Sequence, residues 1–146
     1  MDTIDTAILE ALKENGRASA SEISRRVRLS VPAVTERIKK LEQGGIIRQY
    51  TVKTDRYQTG QRLLAFVFVN IDRTAYIDRF RSEIVQHACV LECHHIAGAY
   101  DYLLKVALRD TQALESFLSG TLKKIEGVSG SNTVIALTTL KEEMNV

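Results

Sequence analysis

The first half of the chain runs in helical rhythm. Ile4, Ile8 and Leu12 recur every four residues, with Ala7, Leu9 and Ala11 widening the stripe, which predicts an amphipathic helix. Asp2 or Thr3 is placed to cap its start. Asn15-Gly16 is placed to end it, glycine entering a left-handed stop at least cost. Ser19-Ala20-Ser21-Glu22 has the S-x-x-E spacing of a capping box, and Ile23 and Val27 behind it give a second helix its buried pair. Only Arg28-Leu29 separates that helix from a third, Ser30 to Leu41, in which Val34, Ile38 and Leu41 form one stripe. Its cap is Ser30, or Val31, because a residue before proline avoids helical geometry; Pro32 falls in the first turn, where a missing N–H costs nothing. Gln43-Gly44-Gly45 ends this helix, and Ile8, Leu12, Ile23, Val27, Leu29, Val34, Ile38 and Leu41 are its expected core with the other two. The β-rich run Ile46 to Lys53 then predicts one or two short strands, a wing beside the helices.

After a polar, turn-prone stretch from Asp55 to Gly60 the rhythm changes. Arg62 to Ile71 is a nearly continuous apolar strand, and Ala75 to Val85 a helix carrying Ile77, Phe80, Ile84 and Val85. Strands follow at Val90 to Ile96 and Tyr102 to Leu108, joined by the turn Ala97 to Asp101. Thr111 is placed to cap a helix with Leu114, Phe117, Leu118 and Leu122, and Ser131 to Leu140 is the last strand. The order βαββαβ is the ferredoxin-like arrangement, two helices covering one face of a four-stranded antiparallel sheet. The fold class is therefore α+β: a winged helix-turn-helix over residues 1–54, a linker over 55–61 and a ferredoxin-like domain over 62–146. In its first strand Leu64 to Val69 are apolar at every position, so the second sheet face needs a cover that the rest of the chain does not supply. Self-association through that face is the expectation.

Composition adds limits. With 45% hydrophobic and 26% charged residues, the 146-residue chain is globular and ordered. No apolar run approaches a membrane span and the start has no basic-then-apolar leader, so a cytoplasmic protein is expected. Two cysteines make no disulfide framework.

The net charge of +2 becomes informative once mapped. Arg17, Arg25, Arg26, Arg28, Arg37, Lys39 and Lys40 oppose only Glu22 and Glu36 between residues 17 and 40, whereas the half after residue 56 has 9 basic and 10 acidic residues. Two short helices joined by so small a turn, the second of them basic, form a helix-turn-helix, and this charge is what a phosphate backbone attracts. In this reading Ser30, Ala33, Thr35 and Arg37 face base edges, while Arg25, Arg26, Lys39, Lys40 and Arg48 anchor phosphates. Ser19, Ser21, Arg28 and Pro32 complete the DNA-binding set.

Catalytic and metal chemistry find less support. There is no phosphate-cradling glycine loop and no Gly-x-Ser-x-Gly elbow. His87, Cys89, Cys93, His94 and His95 cluster in sequence, but C-x3-C followed by adjacent histidines is not the usual zinc spacing. On a strand His94 faces away from Cys93 and His95. No metal and no cofactor is expected.

The order of parts and several strings resemble the Lrp/AsnC (leucine-responsive, feast/famine) family of transcriptional regulators across essentially the whole chain. The strings are Asp5 to Leu9, Leu29-Ser30 with Val34 to Ile38, Leu41-Glu42 with Gly45 to Ile47, Gly98 to Val106, and Thr133 to Leu137. Arg28 departs from a glycine usual in relatives. The resemblance implies a nucleoid-associated homodimer, or a tetramer or octamer built from it, on double-stranded DNA. It also implies a small effector, usually an amino acid, bound at subunit interfaces. The effector loop maps onto Gly98, Ala99, Tyr100 and Asp101, with Thr133 and Ile135 as a second wall. Replacing Asp101 by alanine is expected to remove the effector response and leave the fold intact. Two alternatives stand beside this reading: an architectural protein that bends or wraps DNA without an effector, and, remotely, a tetrapyrrole decarboxylase-like enzyme using His94 and His95.

Overall fold

A computed structural model of the chain describes residues 1–143, which form two compact units, Met1–Lys53 with Glu143, and Thr54–Glu142. The first contains helices α1 (Thr3–Glu14), α2 (Ala20–Val27) and α3 (Val31–Gln43). Each starts where a side chain accepts a free backbone N–H. Asp2 and Asp5 form a reciprocal capping box on α1, and Ser19 and Glu22 form one on α2. Ser30, not Val31, caps α3 by accepting from Ala33 N–H. Ile8, Ala11, Ile23, Val34 and Leu41 are buried at the centre, and Leu12, Val27, Leu29 and Ile38 pack half-buried around them. The stop of α1 differs from expectation: Asn15 ends the helix in an extended conformation (φ −143°), and Gly16 has no positive φ. Left-handed geometry occurs instead at Gly45, after α3, and at Arg28, after α2, where φ is 55° and ψ 42°. A non-glycine residue there costs on the order of 1 kcal/mol.

The expected wing strands are absent over residues 46–53. The N–H groups of Ile46 and Ile47 donate to the Leu41 carbonyl (2.9 and 3.1 Å), and Tyr50 Oη donates to Glu42 (2.8 Å). This fastens the segment to the end of α3. With no turn residue inside it and no strand among the described residues of its unit, it has no described ladder to join. Partial burial, and then the Glu42 carboxylate that accepts its hydrogen bond, push the Tyr50 phenol up to about 12.

The second unit contains β1 (Leu63–Ile71), a short 3-10 turn leading into α4 (Ile77–Ile84), β2 (Val90–His95), β3 (Tyr102–Leu108), α5 (Thr111–Gly120) and β4 (Val128–Ala136). All pairs are antiparallel, in the order β2-β3-β1-β4, the ferredoxin-like topology. Asp110 rather than Thr111 caps α5, accepting from Ala113 N–H at 2.8 Å. The last strand begins and ends earlier than expected because Leu137 to Leu140 leave the sheet. Ala65, Val67, Val69, Leu104 and Val106 form the helix-facing core with Phe80, Ile84, Leu114 and Phe117. No helix among the described residues is long and apolar enough to cross a membrane.

On the opposite sheet face, register brings Phe66 against Lys105 and Val134, and Phe68 against Leu103 and Asn132. Contrary to expectation, the chain covers part of this face itself. Lys105 Nζ reaches Glu92 (3.1 Å) and Glu142 (2.5 Å), and Arg56 lies 3.7 Å from Glu142. Burial lowers the Lys105 pKa, but the two carboxylates outweigh it and hold it above its ordinary value. Val134 nevertheless remains half exposed.

Candidate nucleic-acid interface and effector loop

Two residues, Leu29 and Ser30, follow the left-handed Arg28 before α3 begins, giving the sharp reversal of a helix-turn-helix. Val34 and Leu41 hold α3 to the core, so Pro32, Thr35, Glu36, Lys39 and Lys40 fall on its exposed side, and Ala33 is half-buried at the edge. Thr35 Oγ1 donates to the Val31 carbonyl (2.9 Å), leaving its oxygen free to accept. Ser19, Ser21, Arg25, Arg28, Ser30 and Arg48 are also exposed. Among the described residues Arg28, Lys39 and Arg48 have no ionic partner; Arg25 donates to the Ser21 carbonyl (3.4 Å) and acts electrostatically on Glu22, and Lys40 lies 3.8 Å from Glu36.

Two of the expected DNA contacts are engaged inside the unit. Arg26 forms a two-pronged pair with Glu14 of α1, one of its bonds at 2.8 Å. Arg37 does not face outward as a base reader: its Nη1 donates to Asp2 Oδ2 and Asp5 Oδ1, both at 2.7 Å. One guanidinium thus ties the middle of α3 to the capping box of α1. Sequence spacing missed this because Arg37, one turn before Leu41 and beside Ile38, lies at the rim of the apolar stripe. The signal was present in the two aspartates near the N-terminus.

The Asp5 N–H, and then Arg37, hold the Asp2 carboxyl below its ordinary value of 3.8. A depressed carboxylate contributes stability above its unfolded pKa and loses it as pH falls through the folded one. Unfolding the protein in urea between pH 5 and pH 2 is therefore expected to show an acid loss of stability in the first unit that is shallower in Asp2→Asn.

In the second unit Gly98 has φ +152°, and the space around it is open. Tyr100 leans on Phe68, ring centroids 5.2 Å apart, on the sheet face away from the helices. Asp101 turns inward: its Oδ2 accepts from Ile71 N–H (2.7 Å), its own N–H donates to the Val69 carbonyl (3.0 Å), and its carbonyl accepts from Ile96 N–H (2.9 Å). Thr133 and Ile135 pair with Val67 and Ala65, so they project to the opposite face from Tyr100. Within one chain the two expected effector walls do not meet.

The histidines are dispersed as the strand alternation requires. His94 pairs with Glu92 (3.0 Å) on one face, while His95 stacks on Tyr102 at 5.1 Å on the other. Burial pushes the Cys89 and Cys93 thiols up.

Residues 64–146 match the family described as the Lrp/AsnC ligand binding domain, and residues 1–48 match a winged helix-turn-helix DNA-binding family. The chain belongs to the Lrp/AsnC family. It is 34% identical to the leucine-responsive regulatory protein of Klebsiella pneumoniae, covering 97% of this chain and 88% of that one. It is 38% identical to the HTH-type transcriptional regulator LrpC of Bacillus subtilis, with 83% of each covered. A transcriptional regulator from Neisseria meningitidis, solved as a complex with L-methionine, superposes with a TM-score of 0.95 at 32% identity, covering 100% of this chain and 96% of that one. Like these relatives, this Lrp/AsnC chain is a transcriptional regulator with an N-terminal DNA-binding unit and a C-terminal ligand-binding domain.

Within that family frame, the inward turn of Asp101 changes one expectation. Alanine there would strip the Ile71 N–H of its acceptor at the end of β1, so the fold is not left intact. Asp101→Ala is expected to lower stability by about 1–2 kcal/mol, while Asp101→Asn, which keeps an acceptor oxygen, stays near wild type. Urea denaturation of both variants checks this.

Proposed function

We propose that this regulator binds double-stranded DNA sequence-specifically as a homodimer or a larger assembly of dimers, and that an amino acid at its C-terminal domain tunes the binding. The observation carrying this reading is the tight α2–α3 turn, which presents Ser30, Pro32, Thr35 and Lys39 on one exposed side of α3, with the exposed Arg48 following that helix. A dimer would set two such helices on half-sites about one helical turn (~34 Å), or a multiple, apart. Such DNA would be chromosomal, in the cytoplasm. The half-exposed Val134, paired with Phe66 on the sheet face that also carries Phe68 and Leu103, supports association through that face; a monomer in light scattering at micromolar concentration would overturn that part.

The L-methionine held by the Neisseria relative supports an amino-acid effector at a site completed by a second subunit, since Thr133 and Ile135 do not meet Gly98 to Asp101 in one chain. The test is fluorescence anisotropy on DNA from the protein's own promoter, with each amino acid at millimolar concentration. One of them is expected to shift affinity about 5–150-fold, the usual span of allosteric coupling. The engagement of Asp101 Oδ2 by the Ile71 N–H, which leaves one carboxylate oxygen for a ligand, favours the second reading, an architectural protein without an effector. Tight DNA binding that no amino acid alters, in affinity, assembly or bending, would support that reading instead.

A further inference from the structure

Among the described residues Arg28 is the one non-glycine with a positive φ. The fold asks for a left-handed residue at this corner: the Arg28 N–H ends α2 on the Ser24 carbonyl, Leu29 N–H shares that acceptor (3.1 Å), and Leu29 turns into the core. Glycine would satisfy every one of these demands without strain. Arginine adds only its side chain, which is exposed, makes no hydrogen bond or ion pair with any other described residue, and stands two positions before the Ser30 cap of α3. Its nearest basic neighbour in the same turn, Arg26, is neutralised by Glu14. A strained backbone that carries an idle charge is a reason to look for function at that residue.

We propose that Arg28 contacts a DNA phosphate beside the start of α3, and that the strained conformation persists for that contact, so that stability and DNA affinity oppose each other at this position. The inference rests on the DNA-binding reading above and deepens it. It differs from an ordinary surface charge in that removing the side chain improves the fold while weakening the function.

The experiment compares the full chain with Arg28→Gly and Arg28→Lys, measuring thermal midpoint and the dependence of promoter-DNA affinity on salt. Arg28→Gly is expected to melt at or above wild type. Each engaged protomer should lose one phosphate contact, so the slope of log affinity against log salt falls by about 0.9 and affinity falls about five-fold at ~0.15 M salt per engaged protomer, on all sequences alike. Arg28→Lys, equally strained and equally charged, should keep the wild-type slope. A wild-type slope in Arg28→Gly overturns the inference alone. Absence of salt-dependent DNA binding in the unaltered protein overturns the DNA-binding reading, and the inference falls with it.

Discussion

Replacing Gly127 by alanine is expected to destabilise the C-terminal unit by about 2–5 kcal/mol, the sum of backbone strain and forced overpacking. Gly127 has φ +94°, and a Cβ there would stand 2.3 Å from Tyr76 Cβ and 2.6 Å from its Cγ. Cβ is fixed to the backbone, so no rotation of the tyrosine side chain relieves the clash; the turn before α4 must itself move. That turn and the start of β4 are also joined through the Gly127 carbonyl, which accepts from Asp72 N–H at 2.8 Å. Denaturant unfolding should show a lower midpoint in Gly127→Ala. Gly130, where a Cβ meets open space and no positive φ is required, is the control: Gly130→Ala should unfold close to wild type.

Replacing Ile8 by alanine should have a comparable energetic effect and a larger functional one. Ile8 is fully buried among α1, α2 and α3, and truncating such a residue to alanine costs about 2–5 kcal/mol. A unit of this size, Met1–Lys53, has a total stability of roughly 3–8 kcal/mol. The substitution therefore removes much or all of what holds α3 in place. DNA affinity should collapse at every salt concentration, in contrast to the loss of a single phosphate contact. Amide exchange should rise sharply across α1 to α3 and leave β1 to β4 protected. Protection unchanged in the helices would show that the core collapses around the missing atoms.

Local pattern carried most of the architecture and much less of the site. Residues with one dominant role were legible: the capping box at Ser19 and Glu22, the stripe of Val34 and Leu41, and the unbroken apolar run of β1 each follow from spacing alone. The family and its regulator function were legible for the same reason, because the strings that carry them are short and contiguous. Errors arose where a side chain serves something distant in sequence. Arg37 looks like a groove-facing cation until Asp2 and Asp5, more than thirty residues away, claim it. Asp101 looks like a ligand alone until Ile71 N–H, thirty residues away, takes one of its two oxygens and gives it a structural role as well. The segment from Ile46 to Lys53 has strand composition and no strand, since a strand requires a partner that composition does not reveal. Thr133 and Ile135 face away from Tyr100 within one chain, so whether they wall the same site as the Gly98 loop depends on a second subunit, which spacing along one sequence does not reveal.

The sheet order has a consequence for how the chain is made. Helices α1, α2 and α3 pack against one another within the first 53 residues, and such local contacts close quickly. Strand β1 is different, because it is central in the order β2-β3-β1-β4 and both of its neighbours come later in the chain. Val69 meets Tyr102 on one side, and Leu64 meets Ala136 on the other. At a synthesis rate of ~5–20 residues per second, the interval from Leu64 to Ala136 takes roughly 4–14 s. For that time at least one edge of LLAFVFV, the one that pairs with β4, stands open, flanked by Arg62 and Asn70 as its nearest polar guards. Nascent chains of this regulator should accordingly need holdase protection over β1, long after the helices ahead of it have folded.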